Sequence, residues 1–214
     1  MRRAGRRSTL DIKAVIWDMG GVIVRTEDRA SREAWEQRLD LPIGRLDQEV
    51  FESPESHQAS VGEATADEVW RGVAERHGLD SEQRAQLERD FWAGDLVDEG
   101  LVDVIRGLQS QYTTALLSNA WPDVREVIEN QWGFADAFEE IVISAEVGMV
   151  KPNPKIYQLT LRRLQVHPEH AVFIDDFEKN VEGARAVGLH AIRFRTKQQT
   201  LRELFDLLGQ QVED

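Results

Sequence analysis

Short apolar runs bounded by polar or turn-forming residues recur along the chain: Ala14-Val15-Ile16-Trp17, Thr113-Thr114-Ala115-Leu116-Leu117, Ile141-Val142-Ile143, Ala171-Val172-Phe173-Ile174 and His190-Ala191-Ile192-Arg193-Phe194. Runs this short and this rich in β-branched residues predict strands buried on both faces. Between and after them, apolar residues return at helical spacing over about 99–110, 121–132, 154–165, 178–187 and 198–209. Strands alternating with helices of that length predict βαβ units, hence an α/β fold with a parallel sheet covered by helices. The stretch 27–95 breaks the alternation. It holds no convincing strand, while Trp35, Leu39, Val69, Trp70, Val73, Leu87, Phe91 and Trp92 recur at helical intervals. Thr65-Ala66-Asp67-Glu68 is a capping-box pattern, and Asp80-Ser81-Glu82-Gln83 resembles a second helix start. At least three helices are expected there, as a small module inserted after the first strand. The predicted organisation is a basic leader at 1–10, a core built from 11–26 and 96–214, and a helical insertion at 27–95.

Composition narrows the class. With 214 residues the chain is long enough for one ordinary domain carrying an insertion. Lysine and arginine number 26 against 39 acidic residues, and the formal charge of −13 argues against nucleic acid as a partner. The absence of cysteine removes disulfides, thiolate metal sites and a thiol nucleophile, and fits a reducing, cytoplasmic setting. No apolar run approaches the ~18–20 residues of a membrane span. Met1–Leu10 carries Arg2, Arg3, Arg6 and Arg7 without an apolar core, which reads as a disordered leader and not a secretory signal. A monomer is the favoured assembly.

In an open parallel sheet, ligands gather at the carboxyl ends of the strands. The residues that follow each apolar run are therefore the informative ones. They are Asp18 after the first, Ser118 and Asn119 after the second, Lys151 shortly after the third, and Asp175 and Asp176 after the fourth, with Asn180 beyond. Singly these residues have ordinary explanations as turn formers, caps or solvated side chains. The adjacent Asp175-Asp176 pair is different, because neighbouring like charges at a strand end repel unless a cation or donor offsets them. Three carboxylates, an ammonium, a hydroxyl and an amide on one rim read as a site for a divalent cation and a phosphate.

The segments Ile16-Trp17-Asp18-Met19-Gly20-Gly21-Val22-Ile23, Leu117-Ser118-Asn119, Lys151-Pro152-Asn153-Pro154-Lys155-Ile156-Tyr157 and Phe173-Ile174-Asp175-Asp176-Phe177-Glu178-Lys179-Asn180 resemble the four motifs of the haloacid dehalogenase superfamily. The resemblance runs over about residues 12–196 and implies a Rossmann-like core with an inserted helical cap. The first motif is similar to that of an Asp-x-Gly-(Gly/Asn)-Val branch of small phosphatases, which includes enzymes acting on α-glucose 1-phosphate. The resemblance implies that Asp18 is a nucleophile forming an aspartyl-phosphate, with Lys151 neutralising charge on the phosphoryl group and on Asp18. Ser118 and the Asn119 backbone would bind the phosphoryl oxygens. Asp18, the Gly20 carbonyl and Asp176 would hold Mg²⁺, with Asp175 acting through water or directly. Asn180 would orient its loop. The expected partner is a small phosphorylated metabolite, with sugar phosphates among the candidates.

One position departs from the commonest pattern. Most phosphatases of the superfamily carry a second Asp two residues after the nucleophile, as acid and base, where this chain has Gly20. General acid–base help is worth about 10²–10⁴ in rate. Either the substrate has a good leaving group, or another residue (Thr26, Glu27, Asp28 or His57) substitutes. Otherwise the chain is a catalytically weak module binding a phosphorylated ligand or a protein partner. Cleavage of a 2-haloacid would also use an aspartate nucleophile, but it would leave the Asp175-Asp176 pair without a purpose.

Overall fold

A computed structural model describes residues 10–210. The arginine-rich stretch read as a leader therefore lies almost wholly outside the described residues. The chain opens with β1 (Ala14–Trp17), followed by a tight turn and β2 (Val24–Thr26). Five helices come next: α1 (Ala30–Arg38), α2 (Arg45–Phe51), α3 (Pro54–Ser60), α4 (Ala66–Arg76) and α5 (Ser81–Trp92). Strand β3 (Asp95–Val97) then pairs antiparallel with β2, so the helical stretch leaves and re-enters through one two-stranded ribbon. The remainder alternates: α6 (Glu99–Leu108), β4 (Thr113–Ser118), α7 (Val124–Glu126) continuing as a π-helical stretch to Trp132, β5 (Glu140–Ile143), α8 (Ser144–Val147), α9 (Pro154–Leu164), β6 (Ala171–Asp175), α10 (Glu178–Ala186), β7 (His190–Arg193) and α11 (Lys197–Leu207).

The five long-range strands form one parallel sheet in the order β5-β4-β1-β6-β7. Alternation along each strand feeds two cores. Val15, Trp17, Leu116, Ile143, Val172 and Ile174 face the side covered by α6 and α11, while Ala14, Ile16, Ala115, Leu117, Val142 and Phe173 face α9 and α10. The α/β class and the strands expected from the sequence are the ones present. Two features exceed the expectation. The insertion has five helices because α2 and α3, seven residues each, are too short to show a period, and the ribbon strands that bound it are only three residues each.

The insertion has its own apolar core, with Trp35, Leu46, Val50, Val69, Trp70, Val73, Leu87 and Phe91 packed around Trp121. Both expected capping boxes are formed, at Thr65 and at Asp80. Arg32 is 3% exposed and clamps the module internally. Its guanidinium donates to Phe91 O at 2.8 Å, Asp47 Oδ1 at 2.6 Å and Asp95 Oδ1 at 2.6 Å, and it lies over the Phe91 ring at 3.9 Å. One side chain thus joins α1, α2, α5 and the ribbon.

Removing one member of such a buried charged cluster strands its partners, so Arg32→Met should destabilise by about 3–5 kcal/mol. Thr65→Ala, which removes a cap at the surface, should cost only about 1 kcal/mol. Urea denaturation of the two variants beside the parent checks both figures.

Candidate functional site

The register of the sheet assembles the site. Trp17 pairs with Ile174 of β6 on one side and Leu116 of β4 on the other. Asp18 N–H continues the ladder by donating to Ile174 O at 2.8 Å, so Asp18 and Asp175 emerge side by side at the same end of neighbouring strands. Asp18 is 6% exposed and Asp175 fully buried. Between them stands Lys151 Nζ, 2.7 Å from Asp18 Oδ1 and 2.7 Å from Asp175 Oδ2. The Met19 N–H also donates to Asp18 Oδ1, at 2.7 Å.

Asp175 has every acceptor engaged. Asn180 Nδ2 donates to both of its oxygens at 3.0 Å, Phe177 N–H donates to Oδ1 at 2.8 Å, and Lys151 takes Oδ2. Asn180 is in turn anchored through its carbonyl, which accepts from Tyr157 Oη at 2.8 Å. Asp176 is the opposite case: its Oδ1 is buried and has no hydrogen-bond partner. The turn after β1 lies directly against this carboxylate, because a Cβ on Gly21 (φ +75°) would sit 2.3 Å from Asp176 Oδ2. Only glycine allows both that approach and that backbone.

Three carboxylates face one ammonium, and for two of them burial and the neighbouring negative charge raise the carboxyl. Burial pushes the Asp176 carboxyl up to about 6, with the Asp175 charge adding to it. Burial likewise raises Asp18, against the attraction of Lys151 and with the Asp175 charge assisting. Oxygens of Asp18, Asp175 and Asp176 lie within 4.8 Å of one another. An octahedral Mg²⁺ sets its ligand oxygens about 3–4 Å apart, so a small hard cation fits the spacing, the all-oxygen chemistry and the unmet acceptor on Asp176.

The other residues singled out in the sequence fall as follows. Ser118 ends β4, buried, next to the Asp18 strand. The Asn119 side chain acts on the backbone of Lys151, with Oδ1 accepting from Lys151 N–H at 2.7 Å and Nδ2 donating to its carbonyl at 3.0 Å. Gly20 sits in the turn, bridging to Val24, and a Cβ there would meet nothing within 4 Å. The substitutes weighed for a missing acid are engaged or exposed. Thr26 donates to Asp95 at 2.6 Å, Glu27 binds Arg25, Asp28 accepts from Ala30 N–H, and His57 is exposed on α3. Arg25, near the entry to the insertion, is held by Glu27, Asp98 and the Val22 carbonyl.

Sequence reasoning missed several contacts. The lysine clamp of Asn119 had no signal beyond its motif, since an amide 32 residues away in sequence reveals nothing of its partner. Ser144 Oγ binds both the N–H and the carbonyl of Ala120, at 3.0 and 3.2 Å, which fixes the loop carrying Ser118 and Asn119. Trp121 Nε1 donates to Ser56 Oγ at 3.2 Å, and Gly62 (φ +79°) brings the α3–α4 turn against the Ala145 carbonyl. The helical insertion is thereby seated on the loop after β4 and on α8 after β5.

Comparison with known proteins identifies the family and the fold. The family model for haloacid dehalogenase-like hydrolases matches residues 12–188. The rat bifunctional epoxide hydrolase 2 is 26% identical over 219 residues, covering 94% of this chain and 39% of that protein, so the chain spans about two-fifths of such relatives. A D-ribitol-5-phosphate phosphatase of Bacteroides thetaiotaomicron is 26% identical over 191 residues, covering 85% of this chain and 91% of that protein. A haloacid dehalogenase family enzyme of the same bacterium, bt-2542, crystallised with magnesium and inorganic phosphate, shares the fold at a TM-score of 0.72 and 22% identity, over 87% of this chain and 96% of that one. Among the described residues no helix is long and apolar enough to cross a membrane.

The raised Asp176 carboxyl predicts a pH-dependent response to cation. Its proton is held more tightly folded than unfolded, so its stabilising contribution is full below the ordinary value of 3.8 and is lost as pH rises through about 6. Mg²⁺ at about 100 times its Kd should therefore stabilise the protein at pH 7.5 by about 2.7 kcal/mol, and by progressively less below pH 6. Thermal unfolding with and without Mg²⁺ at pH 5 and 7.5 measures this, and Asp176→Asn should abolish the increment.

Proposed function

Because the chain belongs to the haloacid dehalogenase-like hydrolase family, we propose that it is a Mg²⁺-dependent phosphatase acting on small phosphomonoesters, with Asp18 as nucleophile. The observation that carries this reading is the cluster of Asp18, Asp175 and Asp176 about Lys151, with an unpartnered buried oxygen on Asp176. Phosphatases among the relatives support it.

Lys151 and the Met19 N–H both bind Asp18 Oδ1, which leaves Oδ2 to attack phosphorus in line. The new bond is Oδ2–P, the broken one joins phosphorus to the ester oxygen, and water later cleaves the aspartyl-phosphate to return Asp18 and free phosphate. Mg²⁺, held by Asp18 and Asp176 and the Gly20 carbonyl, would offset the repulsion between a carboxylate and a phosphate dianion. Lys151 adds a fixed positive charge, and Ser118 with the Asn119 backbone would donate to the phosphoryl oxygens. Such preorganised charge is the main lever in phosphoryl transfer. Asp175 serves as the post on which Lys151 is mounted, with Asn180 keeping it oriented. The helices at 30–92 would act as a cap that excludes bulk water and contacts the organic part of the ester.

Gly20 cannot protonate a leaving group. Esters whose leaving groups need no proton should therefore turn over fastest, and this favours aryl or anomeric phosphates over those of ordinary alcohols.

Phosphate release from p-nitrophenyl phosphate should require Mg²⁺ and fall to background in Asp18→Asn. Metal-free release of chloride from a 2-chloroacid would point instead to carbon–halogen cleavage, and no turnover on any ester would point to a phosphate-binding module. Because a Cβ at Gly20 meets open space, Gly20→Asp should fold. It should raise kcat on an alkyl phosphate by up to about 10²-fold while changing p-nitrophenyl phosphate far less. Steady-state rates on the two esters decide it.

A further inference from the structure

The organic half of the substrate is addressed by the aromatic residues. Among the described residues three aromatic side chains are exposed: Phe51 at 44%, Trp92 at 36% and Phe177 at 56%. A single exposed ring is ordinary, but contiguous exposed rings form the kind of apolar patch that ligand-binding grooves present. Phe177 lies on the rim that bears Asp18, and Phe51 and Trp92 are joined to that rim through Trp121.

Phe177 directly follows Asp176, and its N–H is fixed by the Asp175 carboxylate. Phe51 ends α2 and Trp92 ends α5. Their rings meet edge-on at 5.9 Å, and both pack on Trp121, at 6.2 and 6.1 Å. Trp121 stands three residues beyond Ser118, a distance the chain can span in at most about 11 Å. It follows β4 as Phe177 follows β6, and these are the two strands that flank β1. Aromatic side chains therefore stand on either side of the nucleophile strand, one set carried by the insertion and one by the core.

This face has little to offer a sugar. The Trp121 N–H is engaged by Ser56 Oγ, and the Ser56 hydroxyl donates to the Phe51 carbonyl, so the polar groups beneath the rings satisfy one another. Glu88 lies one turn before Trp92, and Asp123 two residues beyond Trp121. The two carboxylates are near enough that the Asp123 charge helps burial raise the Glu88 carboxyl. Arg84 faces the same Glu88 carboxylate and Lys179 Nζ lies 5.6 Å from the centre of the Phe177 ring, so the edge of the patch carries charges of both signs and offers no net attraction to a charged organic group.

We propose that Phe51, Trp92 and Trp121, with Phe177 at the neighbouring strand end, form a subsite for a neutral, hydrocarbon-bearing organic group, aryl or extended alkyl, and not for a polyhydroxylated sugar. The proposal rests on the phosphomonoesterase reading for its chemistry but not for its binding face. The test therefore has two arms. In the first, kcat/KM is compared for 4-butylphenyl phosphate and 4-(2-hydroxyethyl)phenyl phosphate, whose phenolic leaving groups are matched in basicity and differ in apolar surface. The butyl ester should be preferred by about tenfold or more. Phe51→Ser and Trp92→Ser, both at exposed positions, should each collapse that ratio, chiefly through KM.

In the second arm, calorimetry measures binding of the non-hydrolysable 4-butylbenzylphosphonate in the presence of Mg²⁺. Binding should weaken about tenfold in each variant. A preference for the hydroxyethyl ester, or a uniform loss on both esters, would overturn the subsite. Hydrolysis of neither ester, with phosphonate binding still dependent on Phe51 and Trp92, would retain the subsite and discard the phosphatase. Phosphonate binding that ignores both substitutions would discard the subsite whatever the rates.

Discussion

A single ammonium group shared by two carboxylates on adjacent strands is the constraint around which the rest is arranged. Lys151 Nζ is 2.7 Å from Asp18 and 2.7 Å from Asp175, with its side chain 1% exposed. A buried charge in that position is tolerable only when its partners are fixed, because an unpaired ion in a poorly solvated place is strongly destabilising. The fixing is done by main chain and amides. Asn119 grips both backbone groups of Lys151, Asn180 grips both oxygens of Asp175, and Tyr157 holds Asn180. Among the three carboxylates the one left outside this arrangement is Asp176, whose raised carboxyl and unmet oxygen make it the responsive member.

The sheet explains why a chain can gather these groups from distant positions without local chemistry in common. Parallel strands in register bring equivalent ends to one edge. Placing Trp17 opposite Ile174 is sufficient to set Asp18 beside Asp175. The same register fills both faces with Val, Ile, Leu and Phe, so the positions of the acidic side chains are set by the packing of their apolar predecessors. A slip of one residue would turn every such predecessor to the wrong face.

That linkage is also why so much could be read from the residues alone. The apolar runs ending in Asp18, Ser118 and Asp175-Asp176 carry both the strand and the site in one pattern, and the capping boxes at Thr65 and Asp80 announce their helices by side-chain chemistry within three residues. Contacts made across space are another matter. Nothing local distinguishes an asparagine that clamps a lysine backbone from one that caps a helix, as Asn119 shows, nor a serine that ties two loops, as Ser144 shows. The short α2 and α3 were invisible for a different reason: seven residues make barely two turns, too few for a period to emerge. Arg25 is a further case, since its hydrogen bond to Asp98 joins residues 73 positions apart that only the fold brings near.

The paired strands β2 and β3 have a consequence for how such a chain can change over generations. Polypeptide enters and leaves the helical body at adjacent points, so the ends that must be joined are already close whatever lies between them. Lengthening or replacing the intervening segment then carries only the slowly growing, logarithmic entropy of a longer loop. The sheet and its charged rim need not be rebuilt each time. The helical segment can thus be exchanged by splicing at one gate, while the groups on the rim stay under the discipline of the strands.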